Sequence, residues 1–153
     1  MRDTLRVARF YFALLALFTI GRWAQSLGRV EYARGQHVFS IVILTLLASA
    51  YFAAFCRRWR GYGLLQSVLL GMTLGLAAQI VIFLSTVISY ELGLHTFFNH
   101  PTALNATGEL PFNEALVRRA QGLVAGPITN GVAAFIGWLL GGLLPDKTPR
   151  PAA

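Results

Sequence analysis

Between Ala8 and Leu144 the chain is a succession of long apolar runs separated by two short polar breaks and one long one. Four runs approach the roughly 20 residues that a helix needs to cross a bilayer core of about 30 Å. They cover about residues 8–27, 38–55, 63–90 and 122–144. The pattern predicts an all-α integral membrane protein, a four-transmembrane-helix bundle with both termini on the cytoplasmic side. Residues 1–144 form the single membrane domain, and PDKTPRPAA, residues 145–153, is a flexible cytoplasmic tail. The third run, about 42 Å long at ~1.5 Å per residue, must tilt, kink or protrude. The first is the weakest. Its strictly apolar stretch, Phe10 to Ile20, has a length often found in interfacial segments. It follows MRDTLRVAR as a signal peptide would, but it passes into Gly21, Arg22 and Trp23 without a small-x-small cleavage site. It therefore reads as an uncleaved anchor.

Composition agrees with a lipid solvent. The 153 residues are 56% hydrophobic and 12% charged, where soluble domains carry about 25% charged residues. The net charge of +7 does not point to nucleic acid, because the basic residues flank apolar runs and form no stripe with interleaved aromatics. Their distribution sets the orientation instead. With four spans, Arg2, Arg6, Arg9, Arg57, Arg58, Arg60, Lys147 and Arg150 lie inside, against Arg22, Arg29, Arg34, Arg118 and Arg119 outside. That bias is the one the positive-inside rule favours. The expected location is a bacterial cytoplasmic (inner) membrane. The lone Cys56 excludes an internal disulfide and a cysteine zinc site.

The breaks predict connections. CRRWRG, residues 56–61, reads as a tight inner turn that makes spans two and three antiparallel neighbours. The outer loop over 91–121 is long, and long loops in compact domains are usually functional or disordered. Within it Asn113 is a candidate cap for a short amphipathic helix, Glu114 to Gln121, that enters span four. Phe97, Phe98 and Phe112 suggest that the loop lies on the membrane or covers other loops.

The last run is rich in glycine, which in water weakens a helix by roughly 0.5–1 kcal/mol per residue. On a helix, Gly122, Gly126, Thr129, Ala133, Gly137 and Gly141 share one face. In lipid such a face lets backbones approach, so that dispersion and weak hydrogen bonds act. The opposite face, Leu123, Ile128, Val132, Phe135, Leu139 and Leu143, suits acyl chains. Span three repeats the motif with Gly71 and Gly75. These eight residues are the candidate helix-packing set. Intramembrane polar candidates are Gln79, Thr86 and Asn130. Their depths predict that spans three and four pack together with Gln79 near Asn130.

At the outer end of span one, Arg22, Gln25, Ser26 and Arg29 follow helical spacing. Arg22, Gln25 and Arg29 make a candidate headgroup or anion site, since guanidinium groups clamp carboxylate or phosphate. The competing reading is snorkelling to lipid phosphates. His95, His100, Glu91, Glu109 and Glu114 in the outer loop follow no metal-ligand spacing, so no metal or other cofactor is expected. The spans lack mid-membrane Asp, Glu, Lys or His, which argues against proton relays and bis-histidine haem. The leading expectation is a non-catalytic subunit or scaffold. Its partners would be the lipid bilayer and other membrane subunits or its own copies, with no nucleic acid. A small-solute transporter or channel using Gln79, Thr86, Asn130 and Arg22 is one alternative. A headgroup enzyme at the outer surface, using Arg22 with His95 or His100, is another.

Overall fold

The computed structural model describes the backbone of residues 2–145 and the side chains of residues 8–145. The described chain is helical: α1 (Arg2–Leu27), α2 (Tyr32–Gly35), α3 (Ile41–Arg60), α4 (Leu64–Glu91), a 3-10 turn (Pro101–Leu104) and α5 (Phe112–Gly141). Three helices, α3, α4 and α5, are long and apolar enough to cross a membrane. α1 matches them in length at 26 residues, but Arg9 and Arg22 bracket a shorter apolar stretch. The tail expected at 145–153 lies, beyond Pro145, outside the described residues.

Two boundaries differ from expectation. α5 starts at Phe112, not near Gly122, so the loop expected over 91–121 shrinks to 92–111. The short helix expected from Glu114 to Gln121 is simply the first part of α5. Residues 114–121 are mostly good helix formers, and the charges of Arg118 and Arg119 do not interrupt them. The helix also continues through Pro127, where only the Leu123 carbonyl loses its usual donor. At the other end CRRWR is the last turn of α3. The turn itself is Gly61–Gly63, with Gly61 left-handed at φ 67° and its N–H returned to the Cys56 carbonyl. Glycine adopts that conformation without strain.

α3 and α5 run parallel, with α4 antiparallel between their ends. α5 packs closely on α4 and α3, and α1 leans more loosely on α3 and α4. Tyr11 pins α1 in place. Fully buried, its hydroxyl lies 3.0 Å from Thr45 Oγ1 and donates to the Leu74 carbonyl at 3.1 Å. The outward faces are apolar on every long helix, with Phe10, Leu17, Leu47, Leu65, Ile80 and Val124 exposed.

The seam of α5 is Gly126, Asn130, Ala134, Gly137 and Gly141, all buried. Its steps are backbone contacts with this chain's own helices. A Cβ on Gly137 would lie 2.1 Å from the Ala50 carbonyl oxygen, and one on Gly141 would lie 2.6 Å from that of Ala54. Across from α5, a Cβ on Gly71 would meet the Ala134 Cβ at 2.4 Å, and one on Gly75 the Asn130 side chain at 2.8 Å. The stripe read from spacing differs in the middle. Thr129 is exposed and Ala133 only half-buried. The offset of eleven positions between Gly126 and Gly137 accommodates steps of 3, 4, 4 or 4, 4, 3 equally well, and spacing cannot choose between them. Polar satisfaction does. Thr129 donates to its own Ala125 carbonyl at 2.9 Å and needs no neighbour, whereas the Asn130 amide does.

Candidate functional site

Of the amides expected inside the membrane, Asn130 is buried and Gln79 half-buried in the bundle. Asn130 Oδ1 accepts from Ser49 Oγ and its Nδ2 donates to the Gly126 carbonyl, both at 2.9 Å. Gln79 packs against Gly122 and Gly126, where a Cβ would come within 2.9 Å of its Oε1 and 2.4 Å of its Cγ respectively. α4 and α5 thus exchange an amide for a glycine in both directions. The two amides meet across Gly126, and no hydrogen bond joins them. Thr86 belongs elsewhere, near the end of α4 that carries the long loop.

That end is covered by a cap built from residues 28–40 and 92–111. Its plug is the buried pair Phe97 and Phe98. The Phe97 ring sits over Gly35, where a Cβ would lie 2.7 Å from it. Phe98 packs on Trp23 at 5.4 Å between ring centroids. Polar ties hold the plug down. Ser26 Oγ accepts from the Phe97 N–H at 2.9 Å, and Ser89 and Thr96 hydroxyls are 2.7 Å apart. Tyr90 donates to the Leu110 carbonyl at 2.8 Å. His100 stacks on Tyr32 at 4.0 Å and accepts from the Thr102 N–H at 3.3 Å. Partial burial pushes the His100 imidazole below its usual pKa, because the charged form loses hydration.

Two arginines tie the cap to the helices. Arg22 Nη1 donates to the Gln36 carbonyl at 2.9 Å, and its guanidinium carbon lies 4.8 Å from the Phe97 ring centroid. Arg119 Nε donates to Thr86 Oγ1 at 2.9 Å, and its Nη2 donates to the Phe98 carbonyl. The expected face of Arg22, Gln25 and Arg29 is therefore not one site. α1 ends at Leu27, and Arg29 has left the helix at φ 54°. The Gln25 Oε1 is buried without a partner among the described residues.

Two of the clefts in the cap take in these arginines and the loop histidines. The larger, about 660 Å³, is lined by Arg29, Tyr32, His95, His100 and Glu109 among others. His95 Nδ1 and Glu109 Oε1 are 3.8 Å apart there, and both side chains are largely exposed. The smaller, about 180 Å³, is lined by Arg22, Arg119, His37, Ser40, Ile41 and Val42 among others. Among the described residues no three His, Cys, Asp or Glu side chains gather as metal ligands would. Sequence reasoning missed Arg119, Ser49 and Tyr11. The usable signal was the Arg118-Arg119 pair, since adjacent residues on a helix cannot both face outward in the same direction. Comparison with known protein families, curated proteins and solved structures yields no match.

Proposed function

We propose that the chain is a non-catalytic membrane subunit or scaffold whose cap, with its larger cleft, is the partner-binding surface. The observation that carries this reading is how the two polar regions are used. The glycine seam and the Asn130 amide of α5 are consumed by α3 and α4, which leaves Arg29, His95 and Glu109 in the cleft as accessible recognition groups. In this reading α1 is a fourth span, fixed by Tyr11 and carrying Phe10, Leu17 and Ile20 on its lipid side. The cap is then external, both termini are cytoplasmic, and the setting is a bacterial inner membrane.

Purification in gentle detergent, followed by mass spectrometry of co-purifying chains, tests the reading. A stoichiometric partner, lost when His95 and Glu109 are both replaced by alanine, is the expected result. A chain that runs alone and monomeric contradicts it. One observation favours a second reading, an enzyme acting on lipid headgroups: the His95–Glu109 pair shares its cleft with His100. Neither cleft is lined by Gln79 or Asn130, so their geometry gives the transport reading no support.

A further inference from the structure

The smaller cleft holds two arginines and no acid. Arg22 comes from α1 and Arg119 from α5, and their charges are close enough to repel each other. The described carboxylates lie elsewhere. Glu31 pairs with Arg34 at 3.3 Å and Glu109 with His95 at 3.8 Å, while Glu91 ends α4 and Glu114 opens α5. Two partly buried cations without a counter-ion are costly, because each has given up water that only opposite charge or hydrogen bonds replace. Snorkelling would relieve that cost, but these heads turn inward, to the Gln36 and Phe98 carbonyls and Thr86. The Arg119 Nη1 donors have no partner among the described residues.

Depth says which anion could arrive. α3 has 20 residues, about 30 Å, which is the thickness of the hydrocarbon core. Its last turn carries Arg57, Arg58 and Arg60, so its first residue falls at the opposite headgroup layer. α4 has 28 residues and rises roughly 12 Å past that start. The cleft occupies the step, with Ser40, Ile41 and Val42 as its floor. The first turn of α3 adds N–H groups and a positive partial charge. Val42 is 51% exposed on the bundle's apolar exterior, which gives an acyl chain a way out. A drug-sized ligand fills about 300–1,000 Å³, so 180 Å³ suits a headgroup alone.

We propose that this cleft binds an anionic phosphate between Arg22 and Arg119 above the start of α3, its source being a phospholipid headgroup. The proposal stands apart from the subunit reading.

The full chain in neutral detergent tests it by native mass spectrometry with phosphatidylglycerol or phosphatidylcholine, and by thermal shift with inorganic phosphate. Phosphatidylglycerol should be retained roughly tenfold more tightly than phosphatidylcholine. Arg22→Gln should erase that preference. Because Arg119 also holds the Phe98 carbonyl, the second variant is Val42→Trp, which blocks the mouth and keeps both guanidinium groups. It should lose lipid as well. A shift with inorganic phosphate that Arg22→Gln abolishes, without lipid preference, would keep the phosphate site and make its source free phosphate. Equal retention of both lipids with no phosphate shift overturns the proposal, and so does a preference or shift that Arg22→Gln leaves unchanged.

Discussion

The middle of the bundle and its cap solve the same problem, polar groups in an apolar setting, in opposite ways. In the middle, small residues bring backbones together and each amide has a glycine facing it. Asn130 is bonded to Ser49 and Gly126, and Gly137 leaves no room beside Ala50. At the cap, long side chains bridge gaps instead. Arg22 and Arg119 reach loop carbonyls, Phe97 and Phe98 plug the space between, and clefts remain open. Close approach of helices gives a closed interface with little to offer a ligand. A cap of side chains on loops leaves recesses and donors. The difference is what underlies the proposal that the seam serves stability and the cap recognition. The turn end follows the logic of the cap: Arg57 Nη1 donates to the Trp138 carbonyl at 2.6 Å, and its guanidinium carbon lies 3.7 Å from the Trp138 ring centroid. A cation there complements the C-terminal end of α5.

The comparison is broken most severely at Gly137. Gly137→Leu would drive side-chain atoms into the Ala50 backbone, and a loss of about 3 kcal/mol or more is expected. Thermal unfolding in detergent measures it, and an unchanged midpoint would mean that this face does not touch α3. Phe97→Ala should cost a few kcal/mol locally, by removing a buried ring. Hydrogen exchange should rise across residues 92–111 while α3 and α5 keep their protection. Faster exchange everywhere would show that cap and seam are one cooperative unit.

Asn130→Ala should cost about 1–2 kcal/mol, from a lost hydrogen bond and a gap against Gly75. Thr129→Ala, one residue away and exposed, should change stability by less than about 0.5 kcal/mol. Equal effects would restore the stripe that spacing suggested. The smallest effect expected is that of pH at His100. Its folded pKa lies below its ordinary value of 6.5, so the unfolded chain takes the proton first. Cap stability is then full above about pH 6.5 and declines as pH falls from there through the folded pKa. Exchange in residues 92–111 should quicken over that range, and His100→Asn should remove the dependence.

Much of the architecture was legible in run length and glycine spacing. Run length and apolarity mark α3, α4 and α5, and glycines four apart mark helices that approach closely. The helix that opens α5 was legible to within two residues, from Asn113 and the run Glu114 to Gln121, but the inward turn of Arg119 onto Thr86 was not. Nor was the register in the middle of the seam, which depends on how Thr129 and Asn130 satisfy their own polar atoms. The Arg22–Arg119 recess joins residues almost a hundred positions apart. No local pattern announces it. It depends on α3 being shorter than α4 and on the fold of the cap.

The central claim is that Asn130 and its glycine neighbours on α5 face α3 and α4 of the same molecule. Oxidative cross-linking of a Ser49→Cys/Asn130→Cys pair, in a Cys56→Ala background, tests it most directly, because those side chains meet at 2.9 Å. A cross-link within one chain, formed in the membrane and independent of protein concentration, is the expected product. Cross-links only between chains, or none under conditions that oxidise an exposed control pair, would contradict the claim.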